Sequence, residues 1–158
     1  MFGLFKKQKN EIASPVHGTA VSLSEVKDEV FRTEVLGKGV GIIPNEPGKV
    51  YAPCDGKLEM VFDTGHAVSM TSAKGVELLI HVGIDTVKLK GEHFTTRCAV
   101  GDTVKQGDLL LEFDKAAITA AGYDTTVMLV VCNTDAYKDI TCQIGEKSAG
   151  DMVLEIIE

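Results

Sequence analysis

The chain has 158 residues, 44% hydrophobic and 25% charged, with sixteen glycines, four prolines and no tryptophan, which bounds it to one ordinary globular domain with a sizeable core. A formal net charge of −7 argues against a nucleic-acid binder, which needs a basic stripe on one face. The longest apolar run, Val127-Met128-Leu129-Val130-Val131-Cys132, falls far short of the ~20 residues that a bilayer crossing requires, and no early stretch is long enough for a secretory leader.

At the start, Lys6, Lys7 and Lys9 stand with no acid before Glu11. Residues 1–11 therefore read as a basic, flexible tail, solvated or weakly touching an anionic membrane surface through Phe2, Leu4 and Phe5. A single domain is expected over residues 12–158. From Ile12 onward the chain reads as many short strands punctuated by Gly, Pro, Asp and Asn, which predicts an all-β fold, a mostly antiparallel β-sandwich or flattened barrel. Ala13-Ser14-Pro15-Val16-His17-Gly18 is echoed by Tyr51-Ala52-Pro53-Cys54-Asp55-Gly56, each placing Pro-x-x-Gly ahead of an alternating strand. This points to one tight turn used twice, in two halves that are roughly alike. His17, inside the first copy, and His93 read as turn residues. Two short peripheral helical pieces are expected, Asp114–Ala121 closed by Gly122, and a turn around Asp135–Lys138. Cys54, Cys98, Cys132 and Cys142 are scattered without a CxxC pair; they read as small core or strand residues in a reducing, cytoplasmic setting.

The most informative feature lies between these elements. His66-Ala67-Val68-Ser69-Met70-Thr71 and Val76-Glu77-Leu78-Leu79-Ile80-His81-Val82 flank Ser72-Ala73-Lys74-Gly75 and read as a hairpin. If the strands pair symmetrically about Ala73-Lys74, Val68 faces Leu79 and His66 faces His81, close enough to share a proton, a metal ion or a phosphoryl group. A three-residue loop ending in Gly75 would instead slip the register by one and send the histidines to opposite faces. In the symmetric register Val76, Leu78, Ile80 and Val82 supply a core face, and Val68 and Leu79 ring the histidines with apolar groups on the other. Such a ring suits a protein-docking active site, and a buried histidine pair satisfied by hydrogen bonds fits the same pattern. Two histidines with a carboxylate from Asp85 or Glu77 can also hold zinc, but Glu77 lies roughly 13 Å from His81 along a strand of ~3.3 Å per residue, and Asp85 is equally remote unless Gly83 bends the chain back.

Thr64-Gly65-His66-Ala67, with Gly75 through Glu92, resembles the active-site region of the glucose-superfamily IIA components of the bacterial sugar phosphotransferase system. The likeness continues through Val35–Pro44, Tyr51–Gly56, Gly101–Val104 and Gly107–Asp114, and covers the chain from about Ile12 onward. It implies a phosphoryl relay without cofactor or resident metal: phosphate arrives from phosphohistidine on the carrier HPr and leaves to the cysteine of a IIB domain or IIBC permease. By the resemblance, His81 is the phosphorylated residue, His66 supports the phosphoryl group, and Thr64 hydrogen-bonds His66. Val40, Val68 and Leu79 match an apolar docking surface, and Asp85 an acidic residue at its edge. The family also implies regulatory protein targets, and a monomer is expected. Gly37-Lys38-Gly39 departs from the Gly-Asp-Gly of many glucose-type members and, with Ala120–Thr126, points to the β-glucoside and sucrose branch. Met1 points to a free-standing component, and a domain cut from a larger permease fits the same sequence. A second likeness, of Val104–Ala116 to the Asp-Lys-Ala approach of lipoyl domains, makes Lys115 a rival site for lipoyl or biotinyl attachment.

Overall fold

A computed structural model describes residues 9–45 and 47–158. Its strands are β1 (Asn10–Ala13), β2 (Gly18–Ser22), β3 (Lys38–Pro44), β4 (Lys49–Tyr51), β5 (Gly56–Val61), β6 (Ala67–Ser72), β7 (Glu77–Val82), β8 (Phe94–Thr96), β9 (Thr103–Val104), β10 (Leu109–Phe113), β11 (Val127–Val131), β12 (Asp139–Cys142), β13 (Gly145–Lys147) and β14 (Met152–Ile157). They form one eight-stranded sheet in the order β13-β2-β3-β11-β7-β6-β5-β9 and two three-stranded sheets, β1-β14-β12 and β4-β10-β8. The pairings recorded among the described residues are antiparallel, and the sheets stay open, so the fold is the expected sandwich and not a barrel. Strand β1 opens at Asn10, two residues before the expected domain start; the expected membrane contact of Met1–Lys7 lies outside the described residues. No helix among the described residues is long and apolar enough to cross a membrane.

The two Pro-x-x-Gly turns lie against each other. Ala13 N–H donates to Pro53 O (3.0 Å) and Tyr51 N–H to Pro15 O (2.8 Å), a reciprocal pair between matching positions of the two copies. The likeness extends to a second pair of turns that the sequence reading left unmatched. In these, Asp108 and Asp151 carboxylates accept from Lys105 N–H and Ser148 N–H at 2.9 and 2.8 Å.

Strand β11 explains why the centre of the large sheet is stable. All five of its residues are buried, as a continuous apolar run covered on both faces requires. Val127, Leu129 and Val131 join the main core with Ile80, Leu78 and Val68, whereas Met128 and Val130 face the other way, into a smaller cluster with Leu23, Val26 and Phe31. That cover comes from the 3₁₀ turn Leu23–Glu25 with Val26, and from Phe31 of helix α1 (Glu29–Arg32), a single turn that shows no period in the sequence; Asp28 caps it, its carboxylate accepting from Val30 N–H (2.9 Å) and Phe31 N–H (3.4 Å). Helix α2 (Lys115–Ala120) stands where expected, capped by Asp114 on Ala117 N–H (3.0 Å) and ended at Gly122, while the Asp135 turn is a 3₁₀ segment over Thr134–Ala136.

The β6–β7 register corrects the symmetric expectation. Ala67 faces His81, Ser69 faces Leu79 and Thr71 faces Glu77, so the loop is Ala73-Lys74-Gly75. Ser72 N–H donates to Val76 O (2.8 Å) and Gly75 N–H to Ser72 O (2.9 Å). Asn133 locks this loop from outside, accepting from Glu77 N–H and donating to Gly75 O, both at 3.0 Å.

Candidate functional site

The slipped register should have parted the histidines, yet their rings meet edge to face with centroids 4.9 Å apart. His66 escapes strand alternation because it precedes β6. Gly65, at φ +71°, bends the chain there, and His66 O accepts from Val82 N–H (2.7 Å) at the end of the ladder. The ring thereby swings onto the face of β7 that carries Leu79 and His81.

Each imidazole is held at one nitrogen. His81 Nδ1 lies 2.9 Å from Gly83 O, and since a carbonyl only accepts, Nδ1 carries the proton and Nε2 keeps a free lone pair. His66 Nδ1 lies 2.5 Å from Thr64 Oγ1. Aromatic rings wall the pair: Phe31 lies 5.1 Å from His81 between centroids, and Phe62 and Phe94 lie 5.4 and 6.5 Å from His66. His66 is 3% exposed, whereas His81 is half-buried and reaches the surface.

Burial sets the protonation state. It pulls the His66 pKa down to about 4, with the neighbouring His81 adding to the effect. Burial also lowers His81, opposed by the bond to Gly83 O and by the carboxylates of Asp28 and Asp85. Both rings are therefore neutral near pH 7, and His81 offers a nucleophilic nitrogen within the field of the Asp28 and Asp85 carboxylates.

The remaining expected residues divide. Thr64 and Leu79 sit at the site, with Leu79 packed against the Phe31 cluster, and Asp85 is exposed beside it in the left-handed conformation that opens the Thr86–Leu89 turn. Val40 and Val68 are 0% exposed members of the main core, so the docking surface expected of them is corrected: the true register points Val68 inward with Ile80, and Val40 sits in β3 opposite Leu129 of β11. Val30 and Val87, 49% and 50% exposed on the two segments that carry Asp28 and Asp85, present apolar surface instead. No group of three His, Cys, Asp or Glu suited to a metal occurs among the described residues. Lys115 opens α2, not a hairpin tip, and its ammonium donates to Pro44 O at 2.6 Å, which disfavours it as a swinging arm.

Gly83, Asp28, Phe31, Phe62 and Phe94 join the site unannounced by the sequence reading. For Asp28 a signal existed, an N-cap acid followed by Glu29 and an apolar pair. Nothing local linked it to His81, which lies more than fifty residues further along the chain.

Comparison with known proteins agrees with this geometry. Residues 10–137 match the family model described as phosphoenolpyruvate-dependent sugar phosphotransferase system, EIIA 1. The chain is 50% identical over 127 residues to the β-glucoside-specific EIIBCA component of Dickeya chrysanthemi, covering 80% of this chain and 20% of that protein. It thus spans about a fifth of the length of the EIIBCA relatives it matches. It is 40% identical over 149 residues to the glucose-specific EIIA component of Haemophilus influenzae, covering 94% of this chain and 89% of that one. The solved glucose permease IIA from Mycoplasma capricolum superposes with a TM-score of 0.82 at 31% identity, covering 96% and 97% of the two chains. On fold, sequence and paired histidines together, this chain belongs to the EIIA 1 family of the phosphoenolpyruvate-dependent sugar phosphotransferase system.

Proposed function

We propose that the chain is the IIA phosphoryl carrier of a sugar uptake system, taking a phosphoryl group from phosphohistidine HPr on Nε2 of His81 and passing it to the cysteine of a IIB domain. The carrying observation is the hydrogen bond from His81 Nδ1–H to Gly83 O, which leaves Nε2 as the free nucleophile on a neutral ring at the surface. On acceptance the His81 Nε2–P bond forms as the P–N bond to the donor imidazole breaks, and the second transfer reverses the role of His81 as sulfur attacks phosphorus. Such transfers need in-line positioning and stabilisation of charge on the phosphoryl oxygens more than covalent work by the protein. His66 supplies that stabilisation. With Thr64 O–H donating to its Nδ1, its proton sits on Nε2 and its ring lies beside that of His81.

HPr docks over Leu79, Val30 and Val87, with Asp28 and Asp85 facing basic groups on the donor. The EIIBCA names of several relatives join the IIA part to IIB and IIC parts in one protein, which supports a IIB or IIBC acceptor. Gly37-Lys38-Gly39 favours the β-glucoside branch, to whose components the chain is 50% and 49% identical, beside 48% to a glucosamine-specific one. The chain acts in the cytoplasm, its cysteines unpaired as a reducing compartment keeps them. Phosphorylation replaces an apolar docking face with one bearing up to two negative charges, a sufficient switch for regulatory partners.

Intact mass after incubation with enzyme I, HPr and phosphoenolpyruvate tests the proposal. Wild type should gain one acid-labile phosphate, His81→Ala none, and His66→Gln should accept phosphate but pass it poorly to IIB. An unmodified wild type beside active controls would overturn the relay.

A further inference from the structure

Asp124 and Thr126 belong to no part of the relay as described, yet they close a turn directly behind His81. Helix α2 ends in a Schellman arrangement, with Gly122 N–H on Thr119 O (2.9 Å) and Tyr123 N–H on Ile118 O (3.2 Å), and delivers the chain to Asp124. There the Asp124 carboxylate accepts from Thr126 N–H (2.8 Å) and from the buried Thr126 hydroxyl (2.6 Å), both through Oδ1. The backbone of this turn continues the β7–β11 ladder past the strand ends. Gly83 N–H donates to Thr126 O (2.8 Å), and Ile84 N–H donates to Asp124 O (3.0 Å).

The second of these bonds sets the orientation of the Gly83 carbonyl. Gly83 C=O and Ile84 N–H belong to one planar peptide unit and point in opposite directions. Tying Ile84 N–H to Asp124 O therefore turns Gly83 O the other way, onto His81 Nδ1 at 2.9 Å. Two further features hold Gly83 itself, the first through the peptide that precedes it. Thr86 O–H donates to Val82 O (2.5 Å), and Gly83 takes φ +81°, where an added Cβ would stand 2.3 Å from Thr86 Cγ2 and 2.9 Å from Asp124 O.

We infer that Asp124 and Thr126 are positioning residues for the phosphoryl acceptor: their side-chain turn holds the Gly83–Ile84 peptide so that Gly83 O keeps the proton on Nδ1 of His81 and leaves Nε2 to react. The effect runs through hydrogen bonds and not through charge, so an amide at 124 serves as well as a carboxylate. This rests on the relay reading for its consequence in transfer, but the tautomer it sets exists in the unphosphorylated protein.

The test uses nitrogen-15 NMR of the histidine rings in the full chain, near neutral pH and without any phosphoryl donor, together with the rate of phosphate acceptance from HPr. Wild type and Asp124→Asn should show His81 held with its proton on Nδ1. Asp124→Ala and Thr126→Val should show mixed tautomers, and Thr126→Ser should restore the wild-type pattern. Acceptance by Asp124→Ala should fall by roughly tenfold or more, by analogy with the ~10–100-fold lost when the outer partner of a metal-bound histidine is removed. Thr126→Val keeps the backbone donor and loses only the hydroxyl, so it reports on the turn even where Asp124→Ala fails to fold. A wild-type tautomer in Thr126→Val, or a mixed one in Asp124→Asn, would overturn the inference. Absence of any phosphate on wild type would overturn the relay alone, with the tautomer comparison still deciding the positioning role.

Discussion

Between about pH 7 and about pH 4, His66 should cost the folded chain stability. The unfolded chain binds a proton at this residue near its ordinary value of 6.5, whereas burial and the His81 ring delay uptake in the folded state to about 4. In that window the unfolded state holds more protons, so the stability present above pH 6.5 declines as the pH falls and is exhausted near pH 4. At ~1.36 kcal/mol per unit, the gap from 6.5 to about 4 amounts to about 3 kcal/mol, against the ~5–15 kcal/mol of a typical domain. His81, also lowered by burial, adds in the same direction. The perturbation is His66→Gln, which removes the titrating group and retains an amide able to bond Thr64. Urea melts across the range should move the wild-type midpoint down by about 1.5 M more than that of the variant, for a slope of ~2 kcal/mol per M. Carboxylates titrate in both proteins and cancel in the difference. Parallel loss in the two chains would refute the assignment of a depressed His66 pKa to burial beside His81.

Ile80→Ala empties a fully buried position at the centre of the main core and should cost about 2–5 kcal/mol by denaturant melts. Gly83→Ala forces a side chain into φ +81° against Thr86; it should destabilise by more than ~1 kcal/mol and slow phosphate acceptance in stopped-flow assays. Asp28→Ala uncaps α1 and should cost about 1 kcal/mol while loosening Phe31 over His81, seen as a chemical-shift change at that ring. Thr64→Val leaves His66 Nδ1 without its partner; acceptance at His81 should persist while transfer to IIB slows.

How far the sequence reveals this protein depends on the scale of the signal. The alternating runs, the doubled Pro-x-x-Gly turn and the Asp114–Ala121 run closed by Gly122 are local, and the antiparallel strands and α2 follow from them. The His66–His81 pair was legible from its hairpin and from the family resemblance, though by a register that was off by one. A two- and a three-residue loop both fit Ser72–Gly75, and Asn133, more than fifty residues away, holds the longer one. The same slip put Val68 on the wrong face. That the histidines still meet depends on Gly65 lifting His66 out of alternation, a local escape that a strand pattern does not encode. Helix α1 shows in the sequence only through its Asp28 cap, since one helical turn carries no period, and the Phe31 contact is illegible because its place over His81 is set by the covering of β11.

On the proposed relay, Nε2 of His81 carries the phosphoryl group because Nδ1 is already engaged by Gly83 O. The direct measurement is nitrogen-15 and phosphorus-31 NMR of the phosphorylated, ring-labelled protein, with the site confirmed by His81→Ala. The account predicts a single phosphorus signal coupled to Nε2 of His81. Phosphorus bonded to Nδ1 of His81, or to His66, would contradict it.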